Sequence, residues 1–278
     1  MSDPRISDSA SVEEGSEAPT WERPRVLLRR MRSSCAGERA ERIWKWTLPA
    51  WSGKLPDGRP YNSCPSAGEC RKMCYARAGM FMMPSVLRAH QRNLQYVMDE
   101  PDAWQAQMIE ELQLPRFRPV GDTPAHVRVH DSGDWFSDEY LSRWLEVMRS
   151  APDVAFYNYS KEVDRLKRIA QPDPPPNFTW RYSYGGLQDE LIEPHDLHAD
   201  VFPDEESLAA AGYVSQTPSD LLAAYGPEKL GLAANNLPGQ KRKQGDKSFR
   251  ALQRAANARA AGRRYPRRGP VPRRPEAR

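Results

Sequence analysis

Short apolar runs alternate with segments of helical periodicity between about residue 42 and residue 236. Runs of this kind, rich in aromatic and branched side chains and bounded by turn residues, are typical of buried strands. The pattern predicts six strands: Ile43–Leu48, His126–His130, Val154–Tyr159, Phe178–Tyr184, Ala199–Phe202 and Leu230–Ala234.

Between these strands, apolar residues recur at the spacing of one helix face. The clearest helix begins after Ser137, whose side chain is suited to cap it, and Phe136 is placed to pack on Leu141. The predicted helices are Val86–Met98, Ala103–Leu112, Asp138–Met148, Glu162–Ala170, Ser207–Ala211, Ser219–Ala224 and Lys247–Ala261.

Alternation of strands with helices favours an α/β fold with a parallel sheet. Six parallel strands fit a partial (β/α) barrel, although a doubly wound sheet would give the same one-dimensional pattern. Both architectures place their sites at the carboxyl ends of the strands. Functional residues are therefore expected just after each strand.

Composition divides the 278 residues into three parts. Residues 1–40 are rich in Ser, Glu, Asp, Arg and Pro and predict a disordered leader outside the fold, with Val26-Leu27-Leu28 as its one apolar stretch. Residues 41–239 form the α/β domain, and residues 240–278 form a basic helix followed by a disordered Arg/Pro-rich tail. Four cysteines and short apolar runs argue against a disulfide-stapled scaffold and against a membrane protein.

The net charge of +4 conceals a strong asymmetry. Residues 240–278 contain 14 Lys and Arg against two acids, which is +12, and the remainder carries 27 basic and 35 acidic residues, which is −8. Clustered cations neutralise phosphates, so the basic tail predicts nucleic acid as a partner. A solvated tail that binds nothing specific is the alternative.

Three thiols lie within eleven residues in the segment Cys64-Pro-Ser-Ala-Gly-Glu-Cys70-Arg-Lys-Met-Cys74. Three cysteines can hold an iron–sulfur cluster with one iron open to another ligand, and the lack of a local fourth ligand favours this. A structural zinc ion would need a distant fourth ligand such as Cys35, His126 or His130. Ordinary buried cysteines are the remaining interpretation.

A second candidate site, His130-Asp131-Ser132-Gly133-Asp134, falls where the second strand should end. Small residues allow a ligand to approach the backbone, and Asp131 and Asp134 suit an ammonium group or ribose hydroxyls. A plain turn that caps the next helix fits the same residues. Motifs for P-loop phosphate binding, Rossmann dinucleotide binding and serine hydrolysis are not evident in the sequence.

Five segments together resemble the gene-product-88 family of actinobacteriophages and mobile elements. They are Leu48-Pro49-Ala50, the cysteine segment continued by Tyr75-Ala76, VRVHDSGDWFS at 127–137, FYNYSK at 156–161 and GLAANNLPG at 231–239. The resemblance spans roughly residues 48–259. It implies a phage-type protein of the bacterial host cytoplasm and carries no settled activity.

That family is in turn distantly similar to the radical S-adenosylmethionine superfamily, which holds a [4Fe–4S] cluster through three cysteines after the first strand of a partial barrel. By this resemblance Cys64, Cys70 and Cys74 are the cluster ligands, and Ser132-Gly133-Asp134 contacts the amino group of the cofactor S-adenosylmethionine. The resemblance and the strand ends also suggest further cofactor- or substrate-binding residues: Tyr75, Asn158, Ser160, Ser183 and Asn235.

The spacing departs from the common pattern of that superfamily. Five and three residues separate the cysteines here, where three and two are usual, and Met73 stands in the place of an aromatic residue. The sequence thus predicts a cluster-binding, radical-type protein that requires a reductant. Its substrate is unassigned, and the basic tail suggests a nucleotide or nucleic acid. The alternative is a non-catalytic, zinc-stabilised nucleic-acid-binding protein.

Overall fold

The computed structural model describes residues 22–31, 41–234 and 238–264. Its strands are short, and most coincide with the apolar runs of the sequence. They are β1 (Arg29–Arg30), β2 (Ile43–Trp46), β3 (Ser52–Lys54), β4 (Pro60–Asn62), β5 (Ala125–Val129), β6 (Val154–Ser160), β7 (Phe178–Ser183), β8 (His198–Phe202), β9 (Val214–Ser215) and β10 (Lys229–Ala233).

Eight α-helical segments connect or follow these strands in the described residues. They are α1 (Pro84–Asp99), α2 (Pro101–Leu112), α3 (Asp138–Ser150), α4 (Val163–Arg165, continued by a π-helical turn Leu166–Ala170), α5 (Glu205–Ala210), α6 (Leu222–Tyr225), α7 (Pro238–Gln244) and α8 (Phe249–Arg264). Short 3-10 helices occur at Glu69–Lys72, Tyr75–Arg77, Gly79–Met82, Pro115–Phe117 and Asp189–Leu191.

The fold is mixed α/β with a mostly parallel central sheet of eight strands in the order β1-β2-β5-β6-β7-β8-β10-β9. Every neighbouring pair is parallel except β1 and β2. From β2 to β8 the order follows the chain without reversal, whereas a doubly wound sheet reverses direction at a switch point. The edge strands β1 and β9 do not pair with each other, so the sheet is not a closed barrel. All six predicted strands are confirmed.

The two faces of the sheet differ in polarity, as the period of two along a strand requires. One face carries the main core, where Trp46 meets Trp104 and Trp144 with ring centroids 5.9 and 6.4 Å apart. The opposite face carries polar side chains, including Arg128 and the completely buried Arg181. The second face is therefore built to surround polar groups.

Arg181 holds a helix against that polar face. Its guanidinium donates five hydrogen bonds to backbone carbonyls at the end of α6 and just beyond, from Leu222 to Glu228, at 2.6 to 3.1 Å. A cation suits the carbonyl end of a helix because that end carries partial negative charge. This arrangement closes the amino-terminal end of the sheet opposite the candidate site.

Helix α3 starts as the sequence predicts. The Ser137 hydroxyl accepts a hydrogen bond of 3.1 Å from the backbone N–H of Tyr140. Phe136 stacks on the ring of Tyr140 with centroids 4.5 Å apart. The stacked pair fixes the entry of the chain into this helix.

Part of the predicted leader belongs to the fold. Leu27 and Leu28 are only 1% and 2% exposed, and β1 pairs with β2, so the expectation that residues 1–40 lie outside the fold was wrong for residues 22–31. Both leucine N–H groups donate to the Glu111 carboxylate, at 2.7 and 2.9 Å. Residues 1–21 and 32–40, which include Cys35, and residues 265–278 lie outside the described residues.

None of the helices in the described part of the chain has the length and apolar character that crossing a bilayer requires.

Candidate metal centre

Cys64, Cys70 and Cys74 lie on the wall of one cavity of about 380 Å³. Cys64 follows the hairpin of β3 and β4, while Cys70 lies in the first 3-10 helix and Cys74 directly precedes the second. All three cysteines are partly exposed, as wall residues of an open cavity are. The cysteine loop therefore brings its three sulfur atoms to one space, as the sequence predicted.

The cavity lies at the carboxyl ends of the parallel strands. Five strands contribute residues near their last positions, and these are Arg128 from β5, Tyr159 from β6, Ser183 from β7, Val201 from β8 and Leu232 from β10. Gln240 and Gln244 of α7 and Phe249 of α8 line it as well. The sheet supplies one side of the cavity, and the cysteine loop and the C-terminal helices supply the others.

Hydrogen bonds fix the cysteine loop at several points. The backbone N–H of Cys70 donates to the carbonyl of Gly185 at 3.1 Å, and that of Cys64 donates to Asn62 Oδ1 at 3.1 Å. On the other side, Gln240 Nε2 donates to the carbonyl of Cys74 at 3.0 Å. The thiols are thus held by the sheet, the hairpin and α7 together.

Burial dominates the electrostatics of the three thiols. Removal from water raises the pKa of Cys64 and Cys74, and it raises the pKa of Cys70 to about 11 despite the nearby charge of Lys161. Buried thiols stay protonated at neutral pH unless a cation compensates the thiolate charge. Metal binding here would therefore release protons and be favoured at higher pH.

The spacing of the thiols bears on which metal group they fit. Within the described chain, three potential ligand atoms lie within 4.8 Å of one another only at Glu193, His195 and Asp196. Thiolates around one tetrahedral zinc ion lie ~3.8 Å apart, because Zn–S bonds are about 2.3 Å long. The three sulfur atoms are not all within 4.8 Å of one another, so their side chains as placed do not form a single tetrahedral zinc set.

The Glu193–Asp196 group is not a comparable site. Lys167 Nζ lies 3.0 Å from the Glu193 carboxylate and 3.2 Å from that of Asp196. Glu193 and His195 are exposed. A cationic side chain already occupies the position that a metal ion would take.

The histidines proposed as a fourth zinc ligand are engaged elsewhere. His130 lines the cavity, yet its Nε2 pairs with the Tyr140 hydroxyl at 2.9 Å and its Nδ1 with Asn158 Nδ2 at 3.3 Å. His126 lies near the opposite end of β5 and pairs with the Tyr225 hydroxyl at 2.9 Å. Cys35 lies outside the described residues. Both ring nitrogens of His130 are thus engaged, whereas His126 keeps an unpartnered Nδ1 among the described residues but lies at the far end of β5 from the cavity.

The segment Ser132-Gly133-Asp134 lies on the cavity wall, but two of its side chains bond within the protein. The Ser132 hydroxyl donates to the carbonyl of Leu48. Asp134 accepts from the N–H groups of Trp135 and Lys161 and from the Ser160 hydroxyl, at 2.6 to 2.9 Å. These contacts fix the segment, so its available ligand groups are mainly backbone atoms.

Gly133 is the point where that backbone is open. Its φ is +91°, a conformation that favours glycine, and a Cβ at this position would lie 2.7 Å from the Cβ of Leu48. Neither its N–H nor its carbonyl has a hydrogen-bond partner among the described residues. This peptide therefore keeps unused hydrogen-bonding groups at a residue of the cavity wall.

Four further predicted residues divide by location. Tyr75 and Ser183 line the cavity, and the Tyr75 hydroxyl donates to the carbonyl of Asp131. Asn158 and Ser160 do not line it, because Asn158 bonds Trp135 and Val129 in the core and Ser160 bonds Asp134. Ser160 holds the segment that carries Gly133 through its bond to Asp134, and the contact of Asn158 and Ser160 with a cofactor stays a prediction.

Asn235, the remaining predicted residue, lies outside the described residues.

Sequence reasoning missed Trp51, Arg128 and Gln240 as cavity residues. A signal for Arg128 exists, since a charged residue inside the apolar strand HVRVH must face a polar space or a partner. Arg128 pairs with Asp220 at 2.8 Å, while its Nε has no hydrogen-bond partner among the described residues. No comparable signal marks Gln240, which belongs to a fully polar helix.

Fold and site together define a mixed α/β protein with a three-cysteine cavity at the carboxyl ends of a mostly parallel sheet. The sequence model of the family described as Gene product 88 matches residues 26–264. The chain therefore belongs to the Gene product 88 family.

Two curated relatives carry the name Gene 88 protein. The protein of Mycobacterium phage L5 is 29% identical over 110 residues, which are 38% of this chain and 46% of the relative. That of Mycobacterium phage D29 is 28% identical over 110 residues, 38% of this chain and 45% of the relative. The chain thus matches slightly less than half the length of these relatives. No solved structure matches it.

Proposed function

We propose that Cys64, Cys70 and Cys74 hold a [4Fe–4S] cluster and that the rest of the cavity binds S-adenosylmethionine for reductive radical chemistry. The observation that carries this proposal is the meeting of all three thiols with Gly133 and Ser183 in one cavity at the carboxyl ends of parallel strands. A cluster held by three cysteines leaves one iron for the cofactor. When bound, such a cluster supplies the electron that cleaves the sulfonium.

A partial (β/α) barrel is the architecture that supports this site. Five adjacent strands in a flat sheet span about 19 Å, because neighbouring strands are about 4.8 Å apart. Residues of β5, β6, β7, β8 and β10 nevertheless line one cavity of about 380 Å³. Curvature of the sheet around that cavity would account for this, and the strand order, which follows the chain from β2 to β8, supports a partial barrel.

The protein groups around the cavity have separate roles in this proposal. The free carbonyl of Gly133 would accept a hydrogen bond from the cofactor's ammonium group, and Asp134 would add negative charge next to it. Lys161 donates to Ser183 Oγ at 2.7 Å and to two backbone carbonyls at 3.1 Å, and its charge lies near Cys70. It would offset the negative charge of a cluster with three thiolates.

The first experiment is iron, sulfide and zinc analysis with an absorption spectrum, on protein purified without oxygen from a reducing cytoplasm. About four iron and four sulfide per chain, lost in Cys64→Ala, Cys70→Ala and Cys74→Ala, is the expected result. Met73→Leu is the matched control, since Met73 lies in the same loop and is buried. Full iron and sulfide in Cys70→Ala would overturn the ligand assignment.

Cofactor cleavage is tested next, with dithionite as the reductant. Release of 5′-deoxyadenosine and methionine is expected from the wild type and is reduced in Gly133→Val, whose side chain would crowd Leu48 and displace the Gly133 peptide. A cluster without any cleavage would mean that the cluster is structural.

The alternative is a zinc-stabilised protein that binds nucleic acid through its basic tail without catalysis. One zinc and no sulfide per chain would establish it. Helices α7 and α8 contribute residues to the cavity wall, so a truncation that removes them would also disrupt the cavity. The tail is therefore tested by truncation after Arg264. Loss of salt-dependent nucleic-acid binding in that truncation would assign the affinity to the tail.

A further inference from the structure

Trp51 lies at the cavity in a backbone conformation that a tryptophan rarely adopts. Its φ is +56°, it is partly exposed, and it lines the cavity beside Cys64. A bulky residue in the left-handed region costs about 1–3 kcal/mol, and such strain concentrates at functional sites. The Trp51 N–H lies 3.4 Å from Cys64 Sγ, so this conformation ties the indole to the cysteine loop.

Two arginines accompany the indole. The guanidinium carbon of Arg77 lies 4.7 Å from the ring centroid of Trp51, and that of Arg71 lies 5.2 Å from it. Both arginines are exposed, and Arg71 also lines the cavity. Both guanidinium groups lie over the indole ring, and the ring stays partly exposed. Bases stack on guanidinium planes as well as on aromatic rings, so this combined surface can recognise a flat ring next to an anion.

Helix α7 carries three more exposed cations, Lys241, Arg242 and Lys243, and Lys243 contacts the cysteine loop. Their position is fixed by the contact of Gln240 with Cys74 and by the bond of 3.4 Å from Lys243 Nζ to the carbonyl of Lys72. We call Arg71, Arg77, Lys241, Arg242 and Lys243 the basic rim.

The basic rim has no close ion pair, although Lys241 is near enough to Asp204 to help lower the pKa of that carboxyl. None of its five cations forms an ion pair with a carboxylate of the described residues, whereas the neighbouring Lys72 pairs with Glu69 at 2.6 Å. Unpaired exposed cations at one edge of a cavity attract polyanions and release counterions from them.

We propose that the basic rim and Trp51 bind single-stranded nucleic acid, with phosphates on the rim and one base stacked on the indole at the cavity mouth. The base must be unpaired, because a duplex buries the faces of its bases. An acidic protein would use the cations but would leave the strained indole without a role. Strand binding by the basic rim and Trp51 does not depend on the proposed function. If the proposed function also holds, a nucleotide of the bound strand is the expected substrate, and that step alone rests on the proposed function.

The test is fluorescence anisotropy with labelled single-stranded DNA and RNA of 12 nucleotides, using the full chain. Trp51→Leu should weaken binding about 5- to 150-fold, since stacking contributes about 1–3 kcal/mol per base. Trp51→Phe should retain most of the affinity. Arg71→Gln/Arg77→Gln should weaken binding and lower the slope of log K against log salt by about 1.4, at ~0.7 for each phosphate that is no longer neutralised.

The matched control is Arg118→Gln/Lys229→Gln, which removes the same charge. Both residues are exposed, and they precede β5 and begin β10, at the amino ends of the strands. Affinity within twofold of the wild type is expected. The basic tail is present in every variant, so the differences isolate the rim. Circular dichroism melts verify that each variant is folded.

Four results would overturn the inference. They are equal binding by Trp51→Leu, equal binding by the rim and control variants, equal affinity for an abasic strand of the same length, and equal affinity for duplex DNA. Iron and sulfide are measured on the same samples. If the protein holds a cluster but does not bind the strand, this inference is wrong and the proposed function stands. If it binds the strand but contains no iron or sulfide, the proposed function is wrong and this inference stands.

Discussion

The side-chain oxygen of Gln253 accepts a hydrogen bond of 2.7 Å from the backbone N–H of Glu69. The two residues lie 184 positions apart in the chain, one on α8 and the other beside Cys70. Gly68 leaves the room for this contact, because a Cβ there would lie 2.0 Å from the same oxygen. The C-terminal helix therefore holds the cysteine loop directly.

Replacing Gln253 by Ala should loosen that loop. The substitution leaves the Glu69 N–H without its partner, at a cost of about 1–3 kcal/mol if the group stays buried. The expected result is faster reaction of the thiols with a disulfide reagent in metal-free protein. Arg254→Ala, on an exposed neighbouring residue, is the control. Unchanged thiol reactivity in Gln253→Ala would show that α8 does not restrain the loop.

Gly133→Ala should destabilise the protein by about 2 kcal/mol, because the backbone is in the left-handed region and the new methyl group would crowd Leu48. Urea unfolding measures this effect. Gly58 also has a positive φ, of 89°, but a Cβ added there would have no neighbour within 4 Å, so Gly58→Ala separates backbone strain from crowding. A similar loss of stability in both variants would mean that crowding against Leu48 does not contribute.

Arg181→Lys should destabilise the fold by about 3 kcal/mol or more. Lysine can donate at most three hydrogen bonds, whereas Arg181 donates five to carbonyls at the end of α6. Each lost bond to a charged donor costs about 1.5–3 kcal/mol. Arg149→Lys, at an exposed ion pair with Asp173, should change the urea midpoint little. Equal midpoints for the two variants would contradict the role of Arg181.

His130 should make stability depend on pH below neutrality. Burial lowers the pKa of His130 to about 3, from an ordinary value near 6.5, so between these values the unfolded chain binds a proton that the folded one does not. Its contribution is present above pH 6.5 and is lost as the pH falls toward 3, at up to about 1.4 kcal/mol per pH unit.

The variant His130→Asn tests that assignment, because asparagine tolerates the φ of 65° found at this position. The free energy of unfolding, measured from pH 6.5 to 4.5, should vary less steeply in the variant than in the wild type. Identical slopes would mean that His130 does not titrate in this range.

Glu111→Gln should release residues 22–31 from the core. The carboxylate accepts from two adjacent N–H groups, at Leu27 and Leu28, and an amide would place a donor against one of them. Trypsin should then cleave sooner after Arg25, Arg29 and Arg30. Glu110→Gln, on the exposed neighbour, is the control and should leave the cleavage rate unchanged.

The sequence pattern predicts the main strands because each is a compact apolar run in a singly wound sheet. It does not predict the hairpin of Ser52–Lys54 and Pro60–Asn62, whose residues are mostly polar and exposed. Helix α7 is also missed, since its seven residues include no apolar stripe and its position depends on Gln240 and Gln244. Such elements are fixed by distant contacts that no local pattern records.

The candidate site divides in the same way. Close spacing in the chain made the meeting of Cys64, Cys70 and Cys74 predictable. The contacts of Asn158 and Ser160 were not predictable, because residues near strand ends can face either the cavity or the loop beside it. No sequence pattern marks Trp51, because the feature that distinguishes it is its backbone φ of +56°.

A cavity lined by residues from Ala50 to Phe249 has a consequence for how the chain is made. The ribosome completes the cysteine loop long before the strands and helices that wall it. At roughly 5–20 residues per second, the stretch from Cys64 to Phe249 takes about 10–40 s to synthesise. During that time the three thiols lack their final enclosure, so a ligand that needs the finished cavity could bind there only after the last helix has been translated.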